Sequence, residues 1–168
     1  SIMFANNEIG TIQPIEKIGR IAKINNVYFH TDAAQAIGNV KINVKELGID
    51  LLSMSAHKFY GPKGVGALYV REGVNFERIQ DGGHQEKEKR SGTENVAGIV
   101  GTGKALELST QNMDVNNRKI KTLRDYYLDN ISRKINNIVI NGDLEKRLPG
   151  NCNICFYGMD GGRLLEEL

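Results

Sequence analysis

The 168 residues include 40% hydrophobic and 25% charged side chains and carry a formal net charge of +2, proportions ordinary for a water-soluble globular chain. The basic residues are spread along the sequence, so the charge balance gives no reason to expect nucleic acid or a membrane surface as partner. No apolar run approaches the roughly 18 residues of a membrane span, and two cysteines make no disulfide framework, which favours a reducing, cytoplasmic setting.

SIMFA (residues 1–5) reads as a strand already under way, followed by the polar turn Asn6-Asn7-Glu8 with Gly10. Pro14 suits the first position of a helix. Ile15, Ile18, Ile21 and Ala22 recur on one face of it, with Glu16 and Arg20 paired outside. Asn25-Asn26 ends that helix, and 27–32 (VYFHTD) is a second strand, so strand, helix and strand form the unit of a parallel sheet. The mostly apolar run 49–55 reads as a strand buried on both faces, and a glycine-rich turn leads to another strand at 67–70.

A polar loop at 81–92 precedes a helix with Thr93 as its expected N-cap and Val96, Val100 and Leu106 inward. A longer helix follows, with Ile120, Leu123, Tyr127, Ile131 and Ile135 at heptad-like spacing, and then two short strands. GGRLLEEL begins a last amphipathic helix without a C-cap, so the sequence reads as an internal part of a longer protein. The change of pattern near Gln111 divides it into residues 1–110 and 111–168. The fold class expected is α/β, a mostly parallel sheet flanked by helices, followed by the start of a smaller α+β domain.

Asp32 and Lys58 each follow a strand, and in open α/β sheets ligands bind beyond the carboxyl ends of the strands. An acid and an amine there suit pyridoxal phosphate. A carboxylate keeps the pyridine nitrogen protonated, a lysine on a flexible stem forms an imine with the aldehyde, and the Ser55 to His57 turn grips the phosphate. Each residue also has a plainer reading: Asp32 as a turn former, Lys58 as solvated surface, His30 and His57 as packed histidines, Gly61-Pro62-Lys63-Gly64 as a tight turn. That turn lacks the spacing of a phosphate P-loop.

Four motifs, NNEIGTIQPI, FHTDAAQAIG, SMSAHKFYGPKGVGALYV and GGHQEKEKRSGTENVAGIVG, occur in this order. Together they resemble the cysteine desulfurases of the class V aminotransferase family, the type serving nitrogenase and iron-sulfur cluster assembly. The tail PGNCNICFYGMDGGRLLEEL resembles the start of that family's smaller domain. The resemblance implies pyridoxal phosphate bound through Lys58, with Asp32 at the pyridine nitrogen and Gln35 at the phenolic oxygen. It implies Ser55 and His57 at the phosphate, Asn7 near the ring oxygen and substrate, and Thr93 reaching the phosphate of a neighbouring subunit in a homodimer. His84 stands where many members carry glycine, and it receives no role. The activity implied is conversion of L-cysteine to L-alanine, with sulfur passed to an enzyme persulfide and on to an acceptor or scaffold protein of cluster assembly.

Such chemistry needs a reactive thiolate on an exposed loop. Cys152 and Cys155 are expected instead to be buried in a strand on opposite faces, sharing no metal, and the family's persulfide cysteine comes after Leu168, which leaves these residues alone inactive. The other readings are a selenocysteine lyase or transaminase of the same superfamily, against which RSGTEN argues, and a non-catalytic scaffold retaining the fold.

Overall fold

The computed structural model describes residues 1–78 and 80–168. Two compact units divide the chain: Ser1–Phe4 with Pro14–Gln111, and Ala5–Gln13 with Asn112–Leu168. The second unit is therefore discontinuous in sequence.

The first unit is α/β. Its four-stranded sheet has the order β1 (Ile2–Met3), β2 (His30–Asp32), β3 (Leu51–Ser55), β4 (Gly66–Val70). The first three strands are parallel, and β4 returns antiparallel along the edge. Helix α1 (Ile15–Ile24) connects β1 to β2 as the crossover that parallel strands require. Pro14 precedes the helix as its cap and is not its first residue, and Asn26 at φ 54° carries the chain out of it. Glu16 and Arg20 pair at 2.7 Å as expected.

α1 buries Ile15 and Gly19, whereas Ile21 is exposed. Glycine decides this: a Cβ at residue 19 would lie 2.1 Å from the Leu47 carbonyl, so the helix turns its narrowest line toward its neighbour. β2 is shorter than the expected 27–32, since Val27 and Tyr28 are exposed ahead of it. Ile49 and Leu52 are buried, while Leu51, Ser53, Met54 and Ser55 are only half-buried, so β3 is covered mainly on one face.

Asp50 fixes the other end of this sheet. Its Oδ2 accepts the Phe29 N–H at 2.7 Å and its Oδ1 accepts Arg71 Nε at 2.6 Å, tying the start of β2 to the end of β4. Helix α3 (Val96–Gln111) buries Gly98 and Thr102 and leaves Val96 and Val100 outside. Again the smallest residues face the protein: a Cβ on Gly101 would meet Pro62 at 2.7 Å. The polar loop before α3 holds the short turn α2 (Gln85–Glu88), whose Glu86 and Lys87 are left-handed.

In the second unit, α4 (Met113–Lys134) is followed by the antiparallel pair β5 (Ile138–Ile140) and β6 (Ile154–Phe156), and by α5 (Gly161–Glu167). Asp160 caps α5, accepting the Arg163 N–H at 3.0 Å. α4 turns Met113, Ile120, Arg124 and Leu128 inward to different depths, and the expected Leu123 and Tyr127 lie outside. Arg124 replaces the apolar residue the spacing calls for, with its side chain only 8% exposed and its guanidinium on Asp125 and the Leu148 carbonyl.

Candidate functional site

Because β2 and β3 are parallel, their carboxyl ends lie on the same side of the sheet, and Asp32 and Ser55 are the last residues of each. Asp32 is the register partner of Ser53, which puts Ser55 roughly 7 Å further along the neighbouring strand. Asp32 is exposed, and its Oδ1 accepts the Ala34 N–H at 2.9 Å. The turn-forming role is thus real, and it occupies one carboxylate oxygen only. Gln35 is half-buried in the turn that follows, where its peptide oxygen accepts from Asn39 Nδ2 at 3.1 Å.

After Ser55 the chain makes one 3-10 turn, Ala56–Phe59. Residues three apart eclipse in such a turn, so the buried pair Ala56 and Phe59 anchors it and His57 and Lys58 are left exposed. Tyr60 at φ 68° reverses the chain, and the Gly61 N–H returns to the Ala56 carbonyl at 2.9 Å. A Cβ at residue 61 would lie 2.9 Å from that carbonyl oxygen, so the closure suits glycine. Ser55 Oγ and His57 Nδ1 are 3.0 Å apart. Lys58 makes no hydrogen bond or ion pair among the described residues, and its four-carbon stem is free to swing. An exposed carboxylate, an exposed amine and a hydroxyl beside an imidazole thus share one end of the first unit's sheet.

The remaining candidates lie on other elements. Thr93 is exposed on the loop before α3 and does not cap that helix; Asn95 does, accepting the Gly98 N–H at 3.0 Å. His84, also exposed, pairs with Glu88 across α2. Asn7 belongs to the second unit, exposed on the turn between Asn6 and Thr11.

That turn has supports that sequence reasoning missed. Asn151 Nδ2 donates to the carbonyls of Asn7 and Glu8 at 3.2 and 2.8 Å, and Asn153 Nδ2 donates to the Glu8 carbonyl at 3.2 Å. Behind them lies Arg147, 6% exposed, whose Nη1 donates to Asn151 Oδ1 at 3.0 Å. The only signal in the sequence is a pair of asparagines two residues apart after Arg147-Leu148-Pro149-Gly150.

The cysteines differ from expectation. Only Cys155 lies within β6, and it is exposed; Cys152 precedes the strand and is half-buried. Burial pushes the Cys152 thiol up, outweighing the pull of Arg147 and Arg124, which disfavours the reactive thiolate. Among the described residues no cluster of three or more histidine, cysteine, aspartate or glutamate side chains could hold a metal ion. No helix among them is long and apolar enough to cross a membrane.

Residues 1–168 match the family "Aminotransferase class-V". The chain is similar to the protein named "Cysteine desulfurase IscS" of Clostridium botulinum (strain Hall), with 56% identity over 100% of this chain and 43% of that one. It is 56% identical to the protein of the same name from Methanosarcina thermophila, over 98% of this chain and 41% of that one. Among solved structures it resembles the NifS-like protein of Rickettsia africae, with a TM-score of 0.92 and 38% identity over 98% of this chain and 45% of that one. The chain thus spans less than half the length of these relatives.

Proposed function

Because the chain belongs to the aminotransferase class-V family, we propose that the whole protein is a pyridoxal-phosphate-dependent cysteine desulfurase, converting L-cysteine to L-alanine and passing sulfur to an enzyme thiolate. The observation that carries this reading is the placing of Asp32 and Lys58 at the carboxyl ends of adjacent parallel strands, with Ser55 and His57 between them. The groups fit the cofactor: an acid for its ring nitrogen, an amine for its aldehyde, and a hydroxyl with an imidazole for its phosphate.

Pyridoxal phosphate, when bound, supplies an electron sink for charge developing at the substrate Cα. The Asp32 carboxylate holds a proton on the ring nitrogen through a charge-assisted hydrogen bond, using the oxygen that Ala34 does not occupy. Lys58 presents its amine from the 3-10 turn to hold the aldehyde carbon. Gln35 hydrogen-bonds the phenolic oxygen, and Asn7 stands near that oxygen and the substrate. Ser55 and His57 orient and bind the phosphate, as does Thr93 contributed across a homodimer. In sequence, residues 1–110 then belong to the cofactor-binding domain and 111–168 to the start of the smaller one, with 5–13 packing in the compact unit of the latter.

The persulfide thiolate is assigned to neither Cys152, which is half-buried and whose thiolate burial disfavours, nor Cys155, which sits in a paired strand. The names of the relatives support the desulfurase activity; we read the whole protein as a cytoplasmic enzyme that delivers sulfur to an acceptor or scaffold protein of iron-sulfur cluster assembly. In the full-length protein, Lys58→Ala is expected to abolish both the cofactor's visible absorbance and sulfide release from cysteine. Retention of both overturns the assignment.

A further inference from the structure

Arg147 is a buried cation whose hydrogen bonds go to carbonyl and amide oxygens, with no carboxylate among them. Its Nε donates to the Asp143 carbonyl at 2.9 Å, its Nη2 to the Asn141 carbonyl, and its Nη1 to Asn151 Oδ1 at 3.0 Å and the Asn151 carbonyl at 3.4 Å. Keeping a guanidinium at 6% exposure with no carboxylate bonded to it among the described residues costs stability. The Asp143 carboxylate, the acid beside it, is taken up by the N–H groups of Glu145 and Lys146. A charge retained at such a cost calls for something that it holds in place.

What it holds is Asn151. With its oxygen fixed by Arg147, the Asn151 amide can direct its nitrogen only one way, and that nitrogen donates to the carbonyls of Asn7 and Glu8. The fit is close: Gly10 adopts φ 75°, and a Cβ there would lie 2.5 Å from the Asn151 amide. The turn is closed from within by Asn6, whose Oδ1 accepts the N–H groups of Glu8 and Ile9. Its far side is held where the Leu148 N–H meets the Gly10 carbonyl at 2.9 Å. Asn7 is thereby fixed through its peptide group while its side chain stays exposed.

We propose that Asn151, oriented by Arg147, is a positioning residue for Asn7, setting where the Asn7 amide meets the substrate; this rests on the reading of Asn7 given above. The test compares Asn7→Ala, Asn151→Asp and the double variant in the full-length holoenzyme. Asp keeps an oxygen for Arg147 but cannot donate to the two carbonyls, and it gives the buried cation a directly bonded carboxylate.

Asn151→Asp is expected to leave the thermal midpoint at or above that of the parent. It is also expected to speed hydrogen exchange of the 6–12 segment in the cofactor-free protein and to lower kcat/KM for cysteine about tenfold. The double variant is expected to be no worse than Asn7→Ala alone, because a misplaced Asn7 and a missing one are equivalent. Losses that multiply, or exchange unchanged in 6–12, overturn the positioning role and leave the site reading intact. An Asn7→Ala variant with full kcat/KM overturns the assignment of Asn7 itself, and the positioning role with it.

Discussion

The two units hold their candidate residues by different means. In the first, the strand ladder and a few buried apolar side chains carry the geometry. Asp32 and Ser55 take their places from register, and His57 and Lys58 take theirs from the anchors Ala56 and Phe59. In the second, the turn bearing Asn7 is carried by side-chain amides and one buried guanidinium. A backbone ladder tolerates exchange of most side chains, because its hydrogen bonds do not depend on residue type. An amide network does not, since each member must present the right atom in the right direction. The first unit should therefore fail through lost volume, and the second through lost donors.

The largest expected effect tests the first half of this contrast. Leu52→Ala, at a site 2% exposed in β3, should cost about 3 kcal/mol by urea unfolding while leaving hydrogen exchange in the 6–12 turn unchanged. Arg147→Ala strips the donor from three carbonyls and Asn151 Oδ1. It should cost about 2 kcal/mol and accelerate exchange in that turn but not in β3. Equal effects on both segments from either variant would erase the distinction. Thr31 offers the opposite sign: its Oγ1 is buried in β2 without a partner among the described residues, so Thr31→Val should raise stability by about 1 kcal/mol in the same assay.

A pH dependence sharpens the second half. The N–H groups of Lys146 and then Glu145 hold the Asp143 carboxyl below its ordinary value. An unfolded aspartate titrates near pH 4, roughly, so the stabilisation is fully present above that value and is lost as pH falls through the lower folded one. Asp143→Asn, which keeps the acceptor and removes the titration, should flatten the acid limb of thermal midpoint against pH. The smallest effect belongs to the exposed Glu16–Arg20 pair, where Arg20→Ala should cost about 0.3 to 0.5 kcal/mol and fade with added salt.

Much of this was legible in the sequence, for identifiable reasons. Asp32 and Ser55 could be placed at strand ends because short apolar runs bounded by polar turns mark parallel strands well. The class-V family and the α/β architecture could be expected from four ordered motifs. Helix faces were harder. Apolar periodicity pointed to Ile21, Val100, Leu123 and Tyr127, all exposed, because close packing selected Gly19, Gly98 and Thr102 and the charged Arg124 instead. Hydrophobicity scales rank none of those four as core. The cap of α3 fell to Asn95 and not Thr93 because both residue types cap well, and only the backbone path decides between them. The support for Asn7 was invisible since it joins residues more than 140 apart in sequence.

β4 runs antiparallel to β3, so Ser55 stands opposite Gly66 and every residue of 56–65 must fit between two fixed points. The closed 3-10 turn, with the Gly61 N–H on the Ala56 carbonyl, and the Ala56 to Val65 hydrogen bond fix the first half of that path. Surface loops ordinarily absorb insertions and deletions, yet a residue added within 56–61 would push Lys58 out of line with the anchors Ala56 and Phe59. Residues 56–61 are therefore a stretch in which related proteins should hold their length constant.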